Sequence, residues 1–166
     1  MAALDIEGLL RHLQESSIDY VVIGGVAVSI HGAVRATKDL DIVPDPTGSN
    51  LDRLAAALRA IGARWSNTGD FDPDGFPVQP DEEGLRAGGS FELVTDLGQL
   101  DVLQTASGLP EDGYATLVAA ARVARYGDLA IRVCSLEHLR AMKAAGGRPR
   151  DIQDLADLAI AHPEDA

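Results

Sequence analysis

Asp39-Leu40-Asp41 runs into the apolar pair Ile42-Val43. In an extended strand alternate side chains share a face, so Asp39 and Asp41 point one way while Leu40 and Ile42 point into a core. Two carboxylates on one face repel unless a cation lies between them. A third acid, Asp101, sits in Gln99-Leu100-Asp101-Val102-Leu103, where a lone carboxylate among core residues is costly without a cation or donors. Three strand carboxylates can hold two Mg2+ ions, which take oxygen ligands and share coordination with substrate phosphates. A blander reading stands beside this one. The chain has 26 acids among 166 residues, so the Asp-x-Asp spacing alone also suits a solvated strand edge. Asp101 likewise suits an outward position on an edge strand.

Upstream, Tyr20-Val21-Val22-Ile23 is a β-branched run ended by Gly24-Gly25 and followed by helix-compatible residues. Glycines let a phosphate approach the backbone, and a helix N-terminus attracts it. A bare Gly-Gly is also an ordinary turn. Thr37 precedes Asp39 by two and shares its face. The chain thus offers a phosphate cradle beside a metal-binding pair, provided the strands bring them together.

The elements that must do so are legible as follows. Helical spacing runs from Leu4 to Leu13. A buried strand covers Tyr20–Ile23, and a short helix covers Val26–His31, closed by Gly32. A second strand covers Leu40–Val43, stopped by Pro44. Residues 47–50 supply caps for a helix over Leu51–Ile61. Residues 66–90 read as a long acidic loop rich in turn residues, with one short strand at Phe76–Gln79. Phe91–Thr95 and Gln99–Gln104 flank Asp96-Leu97-Gly98 as a hairpin. Tyr114–Ala124 reads as helix and Leu129–Val133 as strand. Ser135 caps a helix through Lys143, and Asp151–Ile160 forms the last helix, with Asp151 as a candidate cap. Interleaved short strands and helices indicate an α/β (α+β) layer fold. A single domain over residues 1–166 is expected, with the catalytic sheet core in 1–105 and a strand and helices in 106–166.

Composition narrows the classes. The charge is −12, from 14 Lys+Arg against 26 Asp+Glu, which disfavours binding to nucleic acid or anionic membranes through a broad basic face. Aromatics are 4% of residues, too few for a base-stacking surface. The single cysteine, Cys134, excludes an internal disulfide and a Cys-rich zinc site. The first residues carry neither a basic n-region nor an apolar h-region, so a cytoplasmic location without a membrane partner is expected. His31 reads as structural, and His12, His138 and His162 show no ligand spacing.

Ile23-Gly24-Gly25, thirteen residues, then Asp39-Leu40-Asp41-Ile42 and a later strand Asp101 resemble the nucleotidyltransferase superfamily of DNA polymerase β. The tail, Ser135 through Lys143 followed by Gly147-Arg148-Pro149-Arg150-Asp151 and Asp154-Leu155, is similar to the minimal nucleotidyltransferases that include the AbiEii/MenT-type toxins of toxin–antitoxin pairs. The resemblance covers about residues 20–43, 91–104 and 131–158. It departs where many members carry Gly-Ser and this chain has Gly24-Gly25, which some antibiotic-modifying members share.

The resemblance implies a nucleotidyltransferase fold, in which a mixed twisted sheet carries the three aspartates between flanking helices. Asp39 and Asp41 would hold the metal that carries the triphosphate of an NTP, and Asp101 would join them at a second ion; two Mg2+ are implied, with Mn2+ as a substitute. Lys143 would place a charge on the triphosphate, Arg148 would reach phosphate or a helix end, and Asp154 would orient Lys143 or Arg148. Gly24, Gly25 and Thr37 complete the nucleotide site. The implied activity is transfer of a nucleoside monophosphate to an acceptor hydroxyl, with RNA, at a tRNA 3′ end, as the leading acceptor and a cognate antitoxin as partner. The alternatives are a small antibiotic acceptor, such as an aminoglycoside or lincosamide, contacted by the acidic loop, and a catalytically inactive binding module.

Overall fold

The computed structural model describes residues 2–165. Seven strands form one mixed sheet: β1 (Tyr20–Ile23), β2 (Asp39–Pro44), β3 (Arg64–Trp65), β4 (Ser90–Thr95), β5 (Gly98–Leu103), β6 (Arg122–Tyr126) and β7 (Leu129–Val133). Their order across the sheet is β3-β4-β5-β2-β1-β7-β6. β2 runs parallel to β5 and antiparallel to β1, and β1 runs parallel to β7. Seven α-helices accompany the described sheet: α1 (Ile6–Glu15), α2 (Gly24–Ile30), α3 (Gly48–Ala60), α4 (Glu82–Ala87), α5 (Tyr114–Ala120), α6 (Leu136–Gly146) and α7 (Pro149–Ala161).

The alternation in β2 does what its sequence requires. Leu40 and Ile42 are fully buried, as are Leu100 and Val102 of β5 beside them. These apolar faces join Leu9, Leu13, Leu54 and Leu58 of α1 and α3 in one core. With that side committed to packing, the odd-numbered residues of β2 and β5 must face the other way.

Local chemistry explains where elements begin. Asp5 caps α1, its carboxylate accepting the Gly8 N–H at 2.8 Å. Ser135 caps α6, its hydroxyl accepting the His138 N–H at 3.1 Å. Asp151 is not the cap of α7 but its third residue, and accepts the N–H of Arg148 at the cap position.

Three expectations change. No strand forms at 76–79: Pro77 and Pro80 remove donors there, and the Gln79 amide donates to the carbonyls of Pro73 and Phe76 in a turn cluster. That segment instead contains a 3-10 turn at Pro73–Gly75 and α4. The helix at 114 stops at Ala120, and Arg122–Tyr126 becomes the edge strand β6, paired with β7 through the turn at Gly127, whose φ is +61°. α2 begins two residues earlier than the sequence suggests, at Gly24 itself. Among the described residues no helix is long and apolar enough to cross a membrane.

Candidate active site

The pairing register builds the site. Ile23 of β1 lies opposite Asp41 of β2, Asp41 beside Asp101 of β5, and Asp101 opposite Glu92 of β4. One row across four strands therefore reads Glu92, Asp101, Asp41, Ile23. Asp39 pairs with Gln99 one step along. Carboxylate oxygens of Asp39, Asp41 and Asp101 all fall within 4.8 Å of one another. They open onto a cavity of about 580 Å³ that also takes in Gly24, Gly25, Thr37 and Lys143.

Gly24 has φ +68°, and a Cβ there would lie 2.0 Å from Asp41 Oδ2. The turn leaving β1 can press against the carboxylate only because it has no side chain. At Gly25 a Cβ would lie 2.7 Å from Thr37 Oγ1 and 2.9 Å from Arg35 Nη2. That contact accounts for Gly-Gly in place of Gly-Ser: Thr37 fills the space into which a serine would project. The Thr37 hydroxyl donates to the Asp39 carbonyl at 3.0 Å. Since α2 has only seven residues, its macrodipole is weak.

The carboxylates repel as the sequence requires. Burial, then the charges of Asp39 and Asp101, push Asp41 up to about 7. Burial likewise pushes Asp101 up to about 7; a 3.3 Å hydrogen bond from Gln99 opposes this, while Asp39 and Glu92 add to it. All donors are hard oxygens, and the set is held short of comfortable charge without a cation. The arrangement fits Mg2+ or Mn2+.

Cations occupy the opposite wall as an alternating chain. Arg35 holds Asp154 with Nε at 2.7 Å from Oδ1 and Nη2 at 3.0 Å from Oδ2. Lys143 Nζ lies 2.8 Å from Asp154 Oδ2 and 3.1 Å from Asp151 Oδ1. Arg148 Nε donates to Asp151 Oδ2 at 2.8 Å. Burial opposes ionisation of Asp151, but hydrogen bonds from Arg148 and Lys143 outweigh it and hold its carboxyl at about 2. Lys143 is buried, and so are both aspartates. The Arg148 side chain remains 75% exposed and reaches the cavity, as do Lys38 and Arg150. Arg150 donates to the Ala36 carbonyl, fastening α7 to the loop before β2.

The structure thus gathers Gly24, Gly25, Thr37, Asp39, Asp41, Asp101, Lys143 and Arg148 in one cavity. Asp154 is the exception: it does not line the cavity but holds Lys143 and Arg35 from behind it. The acidic loop is elsewhere as well. Asp70, Asp72 and Asp74 do not line the cavity; Asp74 pairs with Arg64 at 3.2 Å and Asp72 accepts the Asp74 N–H. Arg35, expected with Lys38, Lys143, Arg148 and Arg150 as a local basic rim, lines the cavity with them. Glu92 escaped the sequence reading, and only the hairpin register points to it.

No family model matches the chain, and no curated protein is significantly similar to it. Solved structures do resemble it. The lincosamide antibiotic adenylyltransferase LnuA, with lincomycin bound, superposes with a TM-score of 0.61 at 16% identity, over 94% of this chain and 97% of that one. ANT(2″)-Ia in complex with adenylyl-2″-tobramycin gives 0.59 at 15% identity, over 96% and 88%. An antigenic nucleotidyltransferase-like protein from Paracoccidioides brasiliensis gives 0.55 at 18% identity, over 98% and 79%. With three aspartates on a mixed sheet and helices around it, the chain has the nucleotidyltransferase fold.

Proposed function

We propose that the protein transfers a nucleoside monophosphate from an NTP to a hydroxyl of a small, cationic, hydroxylated acceptor. The observation that carries this reading is the in-register row of Asp41 and Asp101, with Asp39 beside them, facing the Gly24-Gly25 turn across one cavity. Asp39, Asp41 and Asp101 would hold two Mg2+ ions. When bound, Mg2+ neutralises phosphate charge and lowers the pKa of the attacking hydroxyl.

The chain's own residues do the rest. The amides of Gly24 and Gly25 receive phosphate oxygens, while the Thr37 hydroxyl, its one hydrogen committed to the Asp39 carbonyl, shapes the wall of the nucleotide site beside Gly25. Lys143, already bonded to two carboxylates, has one remaining N–H for the triphosphate, and Arg148 adds an exposed guanidinium. Together they fix the α-phosphorus for in-line attack. The acceptor oxygen forms the new P–O bond, the bond from the α-phosphorus to the bridging oxygen breaks, and pyrophosphate leaves with the electron pair. The hydroxyl proton passes to a carboxylate or to water.

The cavity's polarity supports the acceptor class. Cations line the wall beside the glycine turn. Beyond Asp101 lie Glu92, Ser90, Thr105 and Ser107, a carboxylate with three hydroxyls. Among the described residues Glu92 has no ion-pair partner, so it is available to an ammonium group on the acceptor. Two of the similar structures carry small antibiotic molecules, lincomycin and adenylyl-tobramycin. Transfer to a tRNA 3′ end, with an antitoxin partner, rests on the tail motif and the exposed Arg148 alone.

The test is incubation with each α-32P-labelled NTP and Mg2+, offering tobramycin, lincomycin or total tRNA. Label on a small acceptor is expected. Label on tRNA alone would replace this acceptor with RNA, and label on nothing would count against the activity.

A further inference from the structure

Beyond α7 the chain closes a single tight turn, in which the Asp165 N–H donates to the His162 carbonyl at 3.2 Å. Side chains three residues apart in such a turn lie one above the other, so His162 and Asp165 converge, with Glu164 between them. The ring of His162 is fixed from its far side: Nε2 lies 2.6 Å from the His31 carbonyl oxygen. A carbonyl only accepts, so Nε2 carries the hydrogen and Nδ1 is the nitrogen that faces the acids. Nδ1 stands 3.5 Å from Glu164 Oε1, and one ligand atom from each of His162, Glu164 and Asp165 falls within 4.8 Å of the others. A nitrogen lone pair set against two carboxylates is unfavourable unless something positive lies between them. Arg140 pairs with Asp165, its Nη1 3.6 Å from Oδ2, and has no ion-pair contact with Glu164.

We propose that His162, Glu164 and Asp165 form a second metal site, selective for Zn2+ or a similar transition-metal ion and separate from the three-aspartate centre. One imidazole and two carboxylates make a mixed nitrogen–oxygen set suited to Zn2+, whereas Asp39, Asp41 and Asp101 offer only oxygen, as Mg2+ prefers. The Nε2–H bond to a backbone carbonyl is the outer contact that orients a ligating histidine and raises its basicity. The site would fasten the end of α7 to His31, just past α2, whose own ring nitrogen is bonded to the Cys134 carbonyl at 2.8 Å. A bound ion would then brace the far end of the helix that begins at Gly24.

Tag-free, full-length protein carrying Asp39→Asn, Asp41→Asn and Asp101→Asn removes the other centre and permits a direct titration. Calorimetry with Zn2+ is expected to show one ion per chain, undiminished by millimolar Mg2+, and Co2+ is expected to give a visible absorption band. Adding His162→Gln or, separately, Glu164→Gln should weaken Zn2+ binding at least about tenfold. Glu164→Gln leaves the His31 contact intact, so loss of binding there cannot be ascribed to a displaced ring. Absence of Zn2+ uptake, or uptake unchanged in both variants, would overturn the proposal.

Discussion

Replacing Asp41 with Asn should make the metal-free protein more stable at neutral pH. Asp41 is pushed from an ordinary carboxylate's 3.8 to about 7 by burial and by Asp39 and Asp101. An acid whose pKa is higher in the folded state holds its proton more tightly there. The penalty is therefore negligible below about pH 3.8, grows through the window from 3.8 to 7, and is complete above it. Each tenfold displacement of that equilibrium is worth about 1.4 kcal/mol, which caps the penalty at about 4 kcal/mol. Water in the open cavity reduces it, so a gain of about 2–4 kcal/mol is expected at pH 8, or about 4–16 °C in Tm for a chain of this size. The gain should shrink as pH falls toward 4. Asp151, held at about 2, loses its contribution only below about pH 3.8 and so leaves that window clear. Mg2+ should reverse the order, raising the Tm of the wild type and not that of Asp41→Asn. The assay is thermal denaturation in chelator and in Mg2+ at several pH values. An Asn variant no more stable than wild type in chelator at pH 8 would refute the claim that burial and the neighbouring carboxylates penalise the Asp41 charge.

Other substitutions separate the parts of the site. Gly24→Ala puts a methyl group on Asp41 at a positive φ and should abolish nucleotide binding, read by calorimetry with MgATP. Asp154→Ala strands Arg35 and removes one of the two partners of Lys143; a loss of about 3–5 kcal/mol is expected in denaturant unfolding. Lys143→Ala leaves Asp154 with Arg35 and Asp151 with Arg148, so the protein should stay folded while turnover falls by about 10²–10³-fold. Glu92→Gln should raise KM for a cationic acceptor and leave KM for NTP unchanged. Neutralising Asp70, Asp72 and Asp74 together should change neither, since none of them reaches the cavity.

How far the sequence revealed all this depends on the element. Strand alternation in Asp39-Leu40-Asp41-Ile42 was sufficient to assign faces, because one face is fully buried and the register cannot slip without burying a carboxylate. The hairpin shows the limit. A turn over Asp96-Leu97-Gly98 would set Leu93 opposite Asp101; Gly98, at φ +105°, instead opens β5, and the shorter turn sets Glu92 there. One residue of turn length decided whether a fourth acid joined the row. The tail motif tied Lys143 to Asp154, and the fold extends that pair to Asp151 and, through the two aspartates, to Arg35 and Arg148. That chain links residues 119 positions apart, a distance at which local patterning carries no information. Ala-rich 114–124 misled for a related reason: pairing with β7 overrode the helical propensity of its last three residues.

The most direct test of the central claim follows the two ends of the nucleotide at once. ATP labelled on the α-phosphate and, separately, on the γ-phosphate is incubated with Mg2+ and acceptor, using wild type, Asp39→Asn and Asp101→Asn. The three-aspartate centre predicts α-label on the acceptor, an equal amount of γ-label in pyrophosphate, and neither in the variants. Label from the γ-phosphate on the acceptor, or wild-type turnover in either variant, would contradict it.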